Sequence, residues 1–309
     1  MNRENYKTML SGFSPNVSKT YGRPLEKLED FFTDNRLSPQ TISIDPCRHT
    51  TLVGKKGTHI SIPPYSLVDF EGKLVTDEVQ VHLLEVFEKR EIVLSQTFTS
   101  SEDKLLDMAG QLFLQATRNN MPLKLSKPIP VDVPVNQGII NPVAMKLYQG
   151  STSITRTFSE SPSFGWKSTE KKKLPISKRN GFKYYRFYLL DFQWVGCACL
   201  QPKRHHHSMV SAKYINAMGP LEDSMAILSL DSRRSVVRMH ASGHRFTSFN
   251  LPLNEPAHLL IFGLIEGQLY AGINHIPSLS NKLLRVELQA VDESDLLIYF
   301  YELDKKSKY

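Results

Sequence analysis

The sequence predicts an all-β protein of two domains that closes on a short helix. Three observations carry this. From Ile42 onward apolar residues recur at every second position, the period of a half-buried strand. Turn signals break these runs, among them Glu71-Gly72-Lys73, Asn119-Asn120 and Asn136-Gln137-Gly138. The 309 residues exceed one ordinary domain, which sets an expectation of two domains of roughly 120–150 residues each.

Residues 1–41 form an N-terminal extension, polar and punctuated by Pro and Gly. It holds one helical signal: Pro24 suits a first helical position, and Leu25, Leu28 and Phe32 follow at helical spacing. The first domain spans 42–150. Ile60 and Ile62 alternate with polar neighbours before Pro63-Pro64, whose rings fix two φ angles and end a strand where the chain must turn. Val79, Val81 and Leu83 alternate with Gln80 and His82, and Leu112, Leu114 and Ala116 face away from Gln111 and Gln115. Val131, Val133 and Val135 alternate with Pro130, Asp132 and Pro134. Each proline removes a ladder donor, so this strand is expected at a sheet edge. Short strands at this spacing read as a β-sandwich.

Residues 151–180 are rich in Ser, Thr, Lys and Pro and are expected to be a basic linker or long exposed loop. A second β domain, 181–309, opens with FKYYRFYLLDFQWVGCACL, a strand-forming aromatic run. Trp194 is expected in the core of that domain with Cys197 beside it. Asp292 then precedes Leu296, Tyr299, Phe300 and Leu303, an N-cap followed by a helical stripe.

Hydrophobic residues make up 40% and charged residues 22%, the composition of folded rather than disordered chains. No apolar run approaches the roughly 18 residues of a membrane helix, so no transmembrane segment is expected. The opening residues carry no apolar signal-peptide core, which fits a cytoplasmic chain or one written without its leader. Three cysteines, an odd number, argue against a disulfide framework.

The net charge of +7 is local. Between Lys167 and Arg186 stand eight basic residues against Glu170 alone, and the remainder carries 30 of each sign. Lys171, Lys172, Lys173, Lys178 and Arg179 are therefore the candidate anion- or partner-binding residues. Phe164, Trp166, Phe182, Tyr184 and Tyr185 flank them, a mixture that could contact an anionic polymer. The plainer reading is a solvated charge run in a linker.

The segments GTHISIPPYSLVD, EGK and VQVHLLEV, followed by LLDMAGQLFLQA and LKLSKPIPVDVP, resemble the ZU-type β-sandwich of ankyrins and netrin receptors. The likeness is closer to uncharacterised, often envelope-associated proteins of Bacteroidetes-type bacteria, which couple that sandwich to a second β domain; in this chain the second domain is expected to be immunoglobulin-like or related. Those carry a Gly-Trp-Ile-Asn-Cys-Asp-like motif where this chain has QWVGCACL. Trp194 and Cys197 fit, while Gln193 replaces the Gly and Ala198 the Asp. The resemblance spans roughly residues 42 to 300, with Gly57–Pro134 its specific part. It implies a ZU-like fold and a protein-interaction role in an envelope-associated assembly, and no particular reaction.

Two further chemistries have candidate residues in the chain. Cys197 and Cys199, with His205, His206 and His207, place thiolate and imidazole donors within a short span. But Cys-x-Cys is not the usual zinc knuckle, and buried thiols on a strand explain the pair. Some eukaryotic relatives of the ZU sandwich cleave themselves at a Phe-Ser bond with help from a His. Here Phe98 precedes Thr99 and Ser100, with His82 on an earlier strand, so an autoprocessing alternative rests on Thr99 or Ser100. No phosphate loop, dinucleotide fingerprint, nucleophile elbow or zinc-protease helix motif occurs. The sequence thus reads as a non-enzymatic binding or scaffold protein with no cofactor and another protein as its partner.

Overall fold

The computed structural model describes residues 25–305, apart from 102–103, 137–138, 140, 154–162, 170–171, 202–206 and 216–218. After helix α1 (Leu28–Asp34) come β1 (Gln40–Ile44), β2 (Thr50–Val53), β3 (His59–Ile62), β4 (Leu67–Val68) and β5 (Val79–Val86). Helix α2 (Lys89–Leu94) separates these from β6 (Ser100–Ser101), β7 (Lys104–Arg118), β8 (Met121–Pro122), β9 (Lys124–Leu125) and β10 (Ile129–Pro134). Then follow β11 (Lys146–Ser153), β12 (Ser163–Ser168), β13 (Ile176–Arg179), β14 (Phe182–Leu189) and β15 (Trp194–Leu200).

These strands build a first sandwich. One sheet runs β1-β5-β7-β15-β11-β12 and the other β13-β14-β10-β3-β2. Period-two alternation places Ile60, Ile62, Val79, Val81, Leu83, Leu112 and Leu114 between them, all buried as the sequence predicts. Two of the three expected turns form where their residues allow positive φ, Gly72 at +83° and Asn119-Asn120 at +50° and +62°, while residues 137 and 138 of the third lie outside the described residues.

Strand β10 is central, between β14 and β3, and not at an edge as its prolines suggested. The alternation explains how. Val135 donates its N–H to Lys183 O beside β14, so odd-numbered donors face β14. The donors missing at Pro130 and Pro134 therefore face β3, which pairs only with Val131 and Asp132.

The sheets also divide the chain differently from the expected 42–150, 151–180 and 181–309. Strands β12 to β15 lie in the first sandwich, so that unit runs from Gln40 to Leu200 and the presumed linker supplies two of its strands. Trp166, in that stretch, is 2% exposed and packs with Leu106, Met108, Tyr148 and Ala198 on the outer side of the first sheet.

The second sandwich comprises β16 (His207–Ile215), β17 (Asp223–Leu230), β18 (Ser235–Arg238), β19 (His240–Ser242), β20 (Arg245–Pro252), β21 (Ala257–Ile265), β22 (Gln268–Ile276), β23 (Leu283–Glu287) and β24 (Gln289–Ala290), followed by α3 (Glu293–Glu302). Its sheets run β19-β20-β16-β23, with β16 and β23 parallel, and β18-β17-β21-β22-β24. Ala226, Leu228, Leu259 and Ile261 fill the space between the sheets. On the opposite face of the β18–β24 sheet, Met225, Ile227, Leu260, Phe262 and Ala271 pack under the three helices.

The N-terminal residues complete that helical layer. Leu25, Leu28, Phe31 and Phe32 are buried with Phe262, Leu296 and Phe300, and the Leu28 N–H donates to Asp223 Oδ2 at 2.9 Å. Helix α1 begins at Leu28; Pro24 lies outside the described residues. Helix α3 forms as its sequence predicts, with Asp292 accepting the Asp295 N–H and Leu296 and Phe300 turned inward. Among the described residues no helix is long and apolar enough to cross a membrane.

Candidate functional site

Of the basic candidates, Lys171 lies outside the described residues. Lys172 and Lys173 are exposed in the segment entering β13, and Lys178 and Arg179 are exposed at its far end. Asn180 and Gly181, at φ +50° and +82°, turn the chain into β14. The result is a β-hairpin in which Lys178 stands opposite Lys183 and Arg179 opposite Phe182. Among the described residues β13 is the edge of its sheet.

Strand β14 divides its residues by face. Tyr185, Phe187 and Leu189 enter the first core, leaving Phe182, Tyr184, Arg186 and Tyr188 on the outer face. Phe182 is 68% exposed and Tyr188 60%. Arg186 makes a two-pronged ion pair with Asp132, 2.7 Å at each prong. Tyr184 meets the His59 ring edge-on, and burial, with the Arg179 guanidinium adding, holds His59 below the usual imidazole value. The face is therefore basic and aromatic, with Asp132 already committed.

Of the autoprocessing candidates, Ser100 lies in β6, and Thr99 and His82 each bond other partners. The Thr99 hydroxyl is buried, donates to Val236 O at 3.0 Å and accepts the Val236 N–H at 2.8 Å. His82 bonds Thr41 and Thr117 instead, two strand neighbours of β5. Cys197 and Cys199 face the first core, where burial raises both thiols, Cys199 to about 11. His205 and His206 lie outside the described residues.

Trp194 sits in the first sandwich, half-buried beside Phe113 and Phe164, on the opposite face of β15 from Cys197. Glu85 accepts the Lys56 and Thr58 N–H groups, and buried Asp107 accepts the Arg234 N–H.

A second polar locus, which strand patterning did not reveal, lies where the sandwiches meet. Lys89 at the start of α2 donates Nζ to Leu230 O at 2.6 Å, while its N–H donates to Asp304 Oδ1 at 2.6 Å. Burial lowers Lys89 to about 8 and raises Asp304 to about 6. Arg233 pairs with Glu255 and Gln201, and Ser235 donates to Leu106 O across the junction.

Next to Leu230 is Asp231, whose side chain is 1% exposed. Its two carboxylate oxygens meet His258 Nδ1 at 2.7 Å and His275 Nε2 at 3.1 Å. The signal was present in the sequence: Glu266 and Gly267 form the hairpin turn, and His258 and His275 stand eight residues to either side, in direct register. Among the described residues these three form a group close enough to share one ion. Compared with known protein families, curated proteins and solved structures, the chain matches none.

Proposed function

We propose that this protein is a non-enzymatic binding or scaffold module whose docking element is the β13–β14 hairpin. The observation that carries the reading is a sheet edge bordered by Lys172, Lys173, Lys178, Arg179 and Lys183, beside exposed Phe182. A free edge offers main-chain donors and acceptors to an added strand. Lysines on such an edge discourage indiscriminate pairing, so charge complementarity selects an extended segment of another protein that carries acidic residues.

The finer readings belong to the same proposal. The Ile60–Ile62 strand ending at Pro63-Pro64, and the Lys127-Pro128 entry to β10, support a ZU-like first sandwich. An immunoglobulin-like or related second sandwich rests on its succession of short strands, and a role in an envelope-associated assembly on the resemblance of the sequence.

The test uses fluorescence anisotropy with a labelled extended peptide of alternating Glu and Val. Binding should weaken with salt, fall at least about tenfold when Lys172, Lys173, Lys178 and Arg179 become Gln, and fail for a peptide with interior prolines. Binding that ignores the Gln substitutions removes the hairpin from the proposal. Preference for a heparin oligosaccharide over the peptide replaces the protein partner with an anionic polymer.

A further inference from the structure

The geometry points to a divalent transition-metal site of the zinc class at Asp231, His258 and His275. Its three side chains come from neighbouring strands of one sheet. His258 and His275 are a cross-strand pair of the β21–β22 hairpin, and Asp231 follows Leu230, which pairs with Ala257. Alternation puts both imidazoles on the helix-covered face of the sheet, with Leu260 and Phe262 of β21 and Ala271 of β22. The Asp231 N–H is bound by Pro256 O, which holds the carboxylate at the strand end.

The donor set decides the class of ion. Two imidazole nitrogens and one carboxylate suit zinc and its first-row neighbours, whereas calcium and magnesium take oxygen ligands. The ligand atoms lie within 4.8 Å of one another. Donors held at about 2.0–2.2 Å around a tetrahedral ion stand about 3.3 Å apart, so modest side-chain rotations close the site. The His258 and His275 rings, with centroids 4.9 Å apart, already converge on the same carboxylate. The nearly unexposed carboxylate is aimed at both imidazoles, so an ion seated among them would be held by all three side chains. His275, at 35% exposure, leaves a route from solvent and an open fourth position for water or a ligand.

The experiment is a titration of the full chain, stripped with a chelator, with Co²⁺ followed by its visible d–d absorption. One Co²⁺ per chain with a tetrahedral spectrum, displaced by Zn²⁺, is expected. His275→Ala should weaken binding by more than the about 10–100-fold that loss of a second-shell partner costs. Its melting curve without metal should stay close to that of the parent, because the ring is partly exposed. Replacing His205, His206 and His207 with Ala should leave the titration unchanged. The proposal is overturned if the stripped chain binds no Co²⁺ or Zn²⁺ at micromolar concentrations. It is also overturned if binding survives His275→Ala and disappears in the triple variant.

Discussion

The β13-β14-β10-β3-β2 sheet of the first sandwich and the β18-β17-β21-β22-β24 sheet of the second are each five strands wide, yet are covered differently. The first turns Tyr185, Phe187 and Leu189 into a core and leaves Phe182, Arg186 and Tyr188 to solvent. The second packs Leu228 and Ile261 against one layer and Ile227 and Phe262 against another. Single cover leaves a face that can carry charge and aromatic rings for a partner. Double cover excludes polar side chains from the middle of the sheet, so they gather at its ends, as Asp231, His258 and His275 do.

The sharpest challenge to this contrast is Phe262→Ala. The ring is fully buried between β21 and the helices, against Phe32 and Phe300. Its loss should cost about 3–5 kcal/mol by denaturant unfolding. A cost below about 1 kcal/mol would show that the helical layer is not packed as described.

The two tryptophans sharpen the comparison within the first sandwich. Trp166→Ala removes a buried ring and the hydrogen bond from Nε1 to Phe98 O, and should cost about 3–5 kcal/mol. Trp194→Ala, from a half-buried site, should cost about 1–2 kcal/mol. Reversal of that order in melting experiments would mean that Trp194, and not Trp166, is the more deeply packed of the two.

The junction between the sandwiches has a pH signature. Asp304 is raised from 3.8 to about 6 by burial. At pH below both values it is neutral folded and unfolded and costs nothing. As pH rises from about 4 to about 6 it ionises first in the unfolded chain, so stability falls, and above about 6 the full cost is present. Asp304→Asn keeps an acceptor for the Lys89 N–H, and loses the ion pair with Arg90, 3.7 Å away. It should stabilise by about 1–2 kcal/mol at pH 7.5, with the gain vanishing near pH 4. A destabilised variant at pH 7.5 would mean that the ion pair outweighs the desolvation.

The smallest effect belongs to the exposed hairpin. Converting Lys172, Lys173, Lys178 and Arg179 to Gln should change stability by no more than about 0.5 kcal/mol, read from urea unfolding. A larger loss would mean that these side chains support the fold, which would break the distinction between the open and the doubly covered sheet.

Local pattern determined much of this molecule. Alternation at Ile60, Ile62, Val79, Val81 and Leu83 reports which face of a strand avoids water, and it needs no knowledge of the partner sheet. The Asp292 cap and the Leu296–Phe300 stripe likewise act within a few residues of one another, so α3 was legible. Tertiary structure alone decided which strands join. The aromatic run after residue 181 reads the same in either sandwich, and only long-range pairing sends β14 to β10 and β15 to β7. Trp166 was obscured because Lys and Ser neighbours dominate its segment, though a strand can bury one face while the other stays polar. At the metal site, register within the β21–β22 hairpin was readable from its turn, but Asp231 joins the two histidines through a third strand. Sequence determines which faces seek burial and which turns close; the free energy of packing one sheet on another selects the partners, and with them the places where polar side chains meet.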